Sequence, residues 1–200
     1  MIKKAIAVFV LSGFPFSAYA TTYNVDPAHS SIEFAVKHLV ITKVKGKFDK
    51  FNGKIEFEPG KLDTLKVTAT AETASINTGV KKRDDHLRSP DFLDAGKFKT
   101  LAFVSKGVRD VNGNTAKLDS EMTIHGVSKP VTLDLEYAGA ATDPWGNKVV
   151  SFSAKGKIDR KEFGLTWNKA LESGGVLVGE DVELAFEIEA QEQAAKKAKK

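Results

Sequence analysis

Cysteine is absent from the 200 residues. That excludes disulfide staples, thiolate nucleophiles, zinc–thiolate sites and the lipobox of a lipoprotein. Long apolar runs are also missing. Only Ala5 to Ser12 comes near one, and it stops at Gly13 and Pro15, far short of the roughly 20 residues a spanning helix needs. No twin-Arg, G-x-S-x-G elbow, Walker A loop or G-x-G-x-x-G segment is present. Asp110-Val111-Asn112-Gly113-Asn114 lacks the glycine position and closing Glu of an EF-hand loop. A large excess of one charge is missing as well. The 30 Lys and Arg include Lys3 and Lys4 in the leader, which leaves 28 against 26 Asp and Glu, four of them in the terminal KKAKK. The folded part is thus near neutral, without the basic stripe of a nucleic-acid binder. The four His residues (29, 38, 86 and 125) show neither H-x-H nor H-x-x-x-H spacing, so no metal site is expected.

The chain opens with the three parts of a secretory signal peptide. Lys3 and Lys4 precede a short apolar run, and Ala18-Tyr19-Ala20 forms a small-x-small cleavage site. Residues 1–20 are therefore expected to be removed on export, with a bacterial periplasm as destination. The remaining 180 residues suffice for one domain burying roughly 70% of its unfolded surface.

Period-two alternation dominates from Tyr23 to Ala190. Ile32, Phe34 and Val36 alternate with Glu33, Ala35 and Lys37. The same pattern recurs in Leu65 to Ala71, Leu118 to Ile124, Val131 to Tyr137, Val150 to Ile158 and Val182 to Ile188. Further strands are expected around Val44 to Phe57, Thr100 to Val104 and Val108 to Val111. Turn chemistry separates them at Phe57 to Gly60, Asn112 to Asn114, His125 to Ser128 and Asp143 to Gly146. This predicts about eight strands in an antiparallel meander, curled into a barrel or folded as a sandwich. Val80 to Ser89 predicts a short polar helix stopped by Pro90, and His38 to Lys43 another helical turn. Residues 191–200 have no apolar face and are expected to form a flexible tail beyond a single domain at 21–190. An outer-membrane barrel would turn an apolar band and aromatic girdles toward lipid. Here the second face is charged and the aromatics lie mid-strand, which favours a soluble barrel without an integral membrane segment.

Five motifs in order then carry a resemblance. They are Asp26-Pro27-Ala28-His29-Ser30 leading to Phe34 and His38; Gly46 to Gly53 (GKFDKFNG); Ile76 to Gly79 with Arg83 to Leu93 (RDDHLRSPDFL); Met122 to Val131 (MTIHGVSKPV); and Asp159 to Gly164 (DRKEFG). Through Tyr23 to Ala190 the chain resembles the YceI-like family of polyisoprenoid-binding periplasmic proteins. The resemblance implies an all-β, eight-stranded, lipocalin-like antiparallel barrel with a short helix. It implies an interior that holds a polyisoprenoid or isoprenoid-quinone-like lipid, and pairing as a homodimer. Two features depart from the pattern: Lys97-Phe98 is followed by Lys99 rather than Pro, and the Lys-rich tail lies outside it.

Alternation alone suits a filled core as well as a channel, since interiors are close-packed. The resemblance favours the channel. Its expected wall is Phe34, Phe57, Ala71, Leu87, Phe92, Phe103, Phe152, Ala154 and Phe186, large residues interleaved with small ones that leave space. Arg83 and His86, in the densest polar cluster, are candidates for holding a head group or gating the channel. Such clusters more often pin a helix to a barrel rim. No catalytic residue is assigned and no cofactor expected beyond the lipid. Two other readings stay open: a barrel enzyme using His86 or His29 as general base, and a ligand-free envelope-stress scaffold.

Overall fold

Strands with one wet and one dry face pair edge to edge until the sheet closes on itself, which hides the dry face and removes the open edges. The computed structural model describes residues 20–39, 41–170 and 175–193. The expected signal peptide, apart from Ala20, and residues 194–200 of the expected tail lie outside the described residues.

The chain runs β1 (Thr21–Val25), β2 (Ser31–His38), β3 (Thr42–Phe48), β4 (Phe51–Glu58), β5 (Lys61–Glu72), β6 (Ile76–Asn77), α1 (Lys81–Arg88), β7 (Thr100–Asn112), β8 (Thr115–Ile124), β9 (Val127–Thr142), β10 (Lys148–Asp159) and β11 (Val178–Glu192). All pairings are antiparallel. Eight strands close a ring in the order β1-β4-β5-β7-β8-β9-β10-β11 and back to β1. This is the expected barrel.

The other three strands form a flap continuous with the ring. The long edge of β11 is shared by two partners. Its first half pairs with β2 (Val182 with Val36 to Glu187 with Ser31), and its end pairs with β1 (Val25 with Ala190, Tyr23 with Glu192). Where the ladder changes partner, Asp26 N donates to Glu189 O at 2.9 Å and Glu189 N donates to Ser30 Oγ at 3.0 Å. The backbone groups at the break are therefore satisfied. β2 continues into β3, and β3 into the two-residue β6.

The inward register is the apolar one throughout. Leu118, Met122 and Ile124 of β8, Val131, Leu133 and Leu135 of β9, and Val150, Phe152, Ala154 and Ile158 of β10 are all buried. Ser120, the polar member of that set, donates to Val131 O at 2.6 Å. His125 and Gly126, with φ of 52° and 76°, make the two-residue loop between β8 and β9; positive φ at both positions matches the twist of the strands it joins.

Several boundaries differ from the expectation. The described residues of His38 to Lys43 are not helical. His38 pairs with Thr42 and Lys37 with Lys43 across the β2–β3 hairpin, and the cross-strand ladder outweighs local propensity. The stretch expected at Val44 to Phe57 is two strands split at Asp49 and Lys50, whereas Thr100 to Val111 is one strand with bulges near Ser105 and Arg109. β11 runs on through Glu192, and Gln193 N donates to Thr22 O at 2.8 Å, so the barrel extends past Ala190.

Candidate functional site

Inward side chains of unequal length leave space where small residues face each other. Two cavities result, of about 170 Å³ and 90 Å³. The first lies toward α1 and is walled by Phe34, Ala71, Leu87, Phe92, Phe103 and Phe186, among others. The second lies deeper and is walled by Leu118, Leu133, Phe152 and Ala154. Ile32, Ala69, Phe103 and Phe186 border both. The rings of Phe103 and Phe186, 6.5 Å apart between centroids, form the partition. The two cavities are apolar neighbours that share this wall. Glycine contributes by close approach: a Cβ on Gly46 would lie 2.4 Å from Phe34 Cζ, and one on Gly156 2.4 Å from Leu133 Cδ2, so a larger residue at either would push a wall side chain from its place.

Eight of the nine expected wall residues border these cavities. Phe57 does not. It is fully buried and meets Tyr137 and Phe152 edge-on, each at 5.1 Å. This aromatic cluster closes the deep end as packed core, the arrangement such rings favour. The tyrosines at that end feel the burial: it pushes the Tyr137 hydroxyl pKa up, as it does that of Tyr23, where nearby Glu192 adds to the rise.

The opposite end is capped by α1, and polar bonds fix the cap. Buried Asp84 accepts from Thr78 N at 2.8 Å and from Thr78 Oγ1 at 2.5 Å. Arg83 donates to Thr78 Oγ1 and Thr78 O; Arg88 donates to Ala74 O and Ile76 O. His86 bonds Asp91 at 2.9 Å through Nε2 and sits edge-on to Phe92 and Trp167. Arg83 and His86 therefore hold the cap, and neither borders the cavities. Leu87, Phe92 and Leu93 are the cap residues that do.

A second polar group lies outside the barrel. His29 Nδ1 is 2.8 Å from Asp26 and 3.8 Å from Glu189, a trio whose ligand atoms fall within 4.8 Å. The bond to Asp26, then the charges of Asp26 and Glu189, raise the His29 pKa, and the same bond lowers that of Asp26. The trio borders neither cavity.

One residue of the site went unrecognised in the sequence. Arg160 is 3% exposed and borders the first cavity, the one buried charged residue in its wall among the described residues. The signal was present. Val150, Phe152, Ala154, Gly156 and Ile158 point inward, and the same period-two register carried on reaches Arg160. Its position beyond the apolar stretch hid it.

A closed antiparallel barrel with two adjoining apolar cavities, capped by a helix and plugged by aromatics, defines an interior-cavity barrel of the lipocalin-like kind. The comparisons place it more narrowly. The YceI-like domain matches residues 23–190, and the chain belongs to that family. A UPF0312 protein of Staphylococcus aureus is 40% identical over 172 residues, covering 86% of this chain and 96% of that one. The YCEI protein of Campylobacter jejuni superposes with a TM-score of 0.68 at 34% identity, over 78% of this chain and 90% of its own. In fold alone the chain is also similar to two further structures. One is BcnA of Burkholderia cenocepacia (TM-score 0.72, 24% identity, 82% and 98% covered). The other is a polyisoprenoid-binding domain of Saccharophagus degradans (TM-score 0.62, 13% identity, 86% and 99% covered).

Proposed function

We propose that this chain is a periplasmic lipid-binding protein that sequesters or carries a polyisoprenoid or isoprenoid-quinone-like lipid along the barrel interior. The observation that carries the reading is the interior space itself: two adjoining cavities that share four wall residues and have an almost wholly apolar wall. Burying a methylene contributes about 0.8 kcal/mol, so each five-carbon isoprene unit contributes about 3–4 kcal/mol before ordering costs. A few units then give firm binding with hardly any polar contact. The secretory pattern of residues 1–20 supports the location, and the fold shared with the polyisoprenoid-binding domain supports the ligand class. A binding role is also favoured over an enzymatic one, because His86 is engaged by Asp91 on the cap and His29 by Asp26 outside the barrel. The test is native mass spectrometry and lipid extraction of protein purified from its host periplasm. A stoichiometric long-chain lipid is expected. Protein that arrives empty and takes up no lipid on incubation would overturn the reading.

A further inference from the structure

The hairpin that joins β2 to β3 breaks the usual chemistry of turns. His38 pairs with Thr42, so the loop between them is Leu39-Val40-Ile41, three apolar residues where Gly, Asn and Asp normally stand. Leu39 holds a positive φ of 54°, uncommon for a side chain of its bulk. Nor are these side chains tucked away: Leu39 is exposed, and Ile41 is 83% exposed. Leu39 N donates to Leu177 O at 2.9 Å, which sets the tip beside exposed Val176. Three of the seven exposed large apolar side chains among the described residues thus gather at one corner of the barrel. A gathered patch signals an interaction where scattered apolar residues do not. Cations stand behind it. Lys37 faces Lys43 across the hairpin, Lys45 follows on β3, and Lys169 O accepts from Leu177 N. Like charges set opposite each other disfavour the strand pair. The acidic groups at the start of β11 are already engaged, Glu183 by Lys43, Asp181 by Lys157 and Glu180 by Lys161. Lys37, Lys45 and Lys169 are exposed and form no ion pair among the described residues. The base of this corner is cavity wall, for His38 pairs with Val178, and Val36 and Val178 border the first cavity.

We propose that this corner docks on an anionic membrane surface, with Leu39, Ile41 and Val176 entering the interface and the four lysines meeting lipid phosphates. Three side chains offer far too little area for a stable protein interface, which buries about 1,600 Å² in all. Interfacial insertion needs only a few apolar side chains backed by cations. The spacing suits it. At about 3.3 Å per strand residue, Lys43 stands about 7 Å behind Ile41 and Lys45 about 13 Å behind. Interfacial elements sink about 5–10 Å, so the Lys43 ammonium comes to head-group level as Ile41 reaches the acyl boundary. The first cavity then lies next to the bilayer, where an amphiphile can be taken up or returned. Docking goes beyond the lipid-binding reading and does not depend on what the cavities hold.

The test is co-sedimentation of the intact protein with vesicles of phosphatidylglycerol and phosphatidylcholine in equal parts, against vesicles of phosphatidylcholine alone. Each unpaired lysine at an anionic surface contributes about fivefold, so the anionic vesicles should bind about 100-fold tighter, and added salt should erase the difference. Ile41→Asp should weaken binding about tenfold or more with an unchanged urea midpoint, because the side chain is exposed. The chain has no cysteine, so Ile41→Cys accepts a single environment-sensitive fluorophore, whose emission should shift to the blue on the anionic vesicles. Trp145, equally exposed, stands at the other end of β11, and Trp145→Ser should bind like the wild type. Equal binding to both kinds of vesicle, or to neither, would overturn the proposal, as would full binding by Ile41→Asp. Loss in Trp145→Ser instead would turn the opposite end to the membrane and overturn it too. A dimer by light scattering that Ile41→Asp splits would give the patch to a second copy of the chain and likewise overturn it. Lipid extracted from a protein that binds no vesicles would leave the lipid-binding reading standing.

Discussion

Phe103 and Phe186 separate the two cavities, so this partition should govern how long a chain the barrel accepts. Replacing Phe103 with Ala removes a ring that borders empty space on both sides. The change adds about 100 Å³ to the interior, which at about 24 cal/mol per Å³ costs about 2.4 kcal/mol beyond the lost contacts. Phe103 is only half-buried and its neighbours already face voids, so the total should fall near 3 kcal/mol, the low end for Phe→Ala. In a domain of this size that lowers Tm by about 6–12 °C. A ligand refills the space: at about 100 times its Kd it returns about 2.7 kcal/mol. The variant should therefore look unstable when empty and, when loaded, close to the ligand-free wild type. Affinity should change with chain length. Short prenyl alcohols that fit the first cavity should bind as before, whereas chains long enough to pass the partition should bind about tenfold tighter or more. Thermal unfolding with and without ligand, together with native mass spectrometry over a series of prenyl alcohols, measures both effects. A long-to-short affinity ratio identical to wild type in folded Phe103→Ala and Phe186→Ala would refute the partition.

Three other outcomes follow from the same geometry. Ala71→Trp in the first cavity and Ala154→Trp in the second should each block lipid uptake in a barrel that still folds, as read by circular dichroism and lipid extraction; unchanged uptake in both would show that the wall is misplaced. Asp84→Ala strands Thr78 N and Oγ1 and loosens α1, with an expected loss of about 1–3 kcal/mol by urea unfolding and faster amide exchange confined to residues 78–95; a loss below about 0.5 kcal/mol would contradict the pinned cap. The His29 pKa is raised by Asp26 and Glu189, so its contribution is complete below the ordinary imidazole value of 6.5 and is lost as pH rises through the elevated folded value. Urea midpoints should thus fall slightly across that window in the wild type and not in His29→Gln; identical pH profiles would count against the ion pair.

The ring itself was legible because its strands are amphipathic. Leu118 to Ile124, Val131 to Tyr137 and Val150 to Ile158 each show a strict alternation, and a period of two permits one reading of which face is buried. The strand residues of the wall followed from that register, and six of the seven border the cavities; Leu87 and Phe92, on and just after α1, came from the apolar members of the cap segment instead. Phe57 was misassigned for a related reason. Alternation says that a side chain points inward but not what it meets there, and Tyr137 and Phe152 happen to fill the space in front of it. The His38 to Lys43 segment failed because its conformation is set by pairing with residues across the hairpin, which a local reading does not contain. Arg83 and His86 were conspicuous because they are charged and clustered. Arg160 was inconspicuous because it is a single charge at the end of an apolar strand, and its burial arises only when β11 and the turn after β10 fold over it.

By itself, the sequence determined a one-sided, antiparallel all-β chain with near-neutral charge and no thiol chemistry, since each follows from residue type and spacing along the chain. Tertiary structure alone decided that the closed barrel keeps a hollow rather than filling it. It also decided that Phe103 and Phe186 stand between the two parts of that hollow. Those are properties of volumes and distances between residues far apart in the chain. Identical alternation can enclose a packed core or a tunnel, and only the meeting of small side chains from different strands chooses between them.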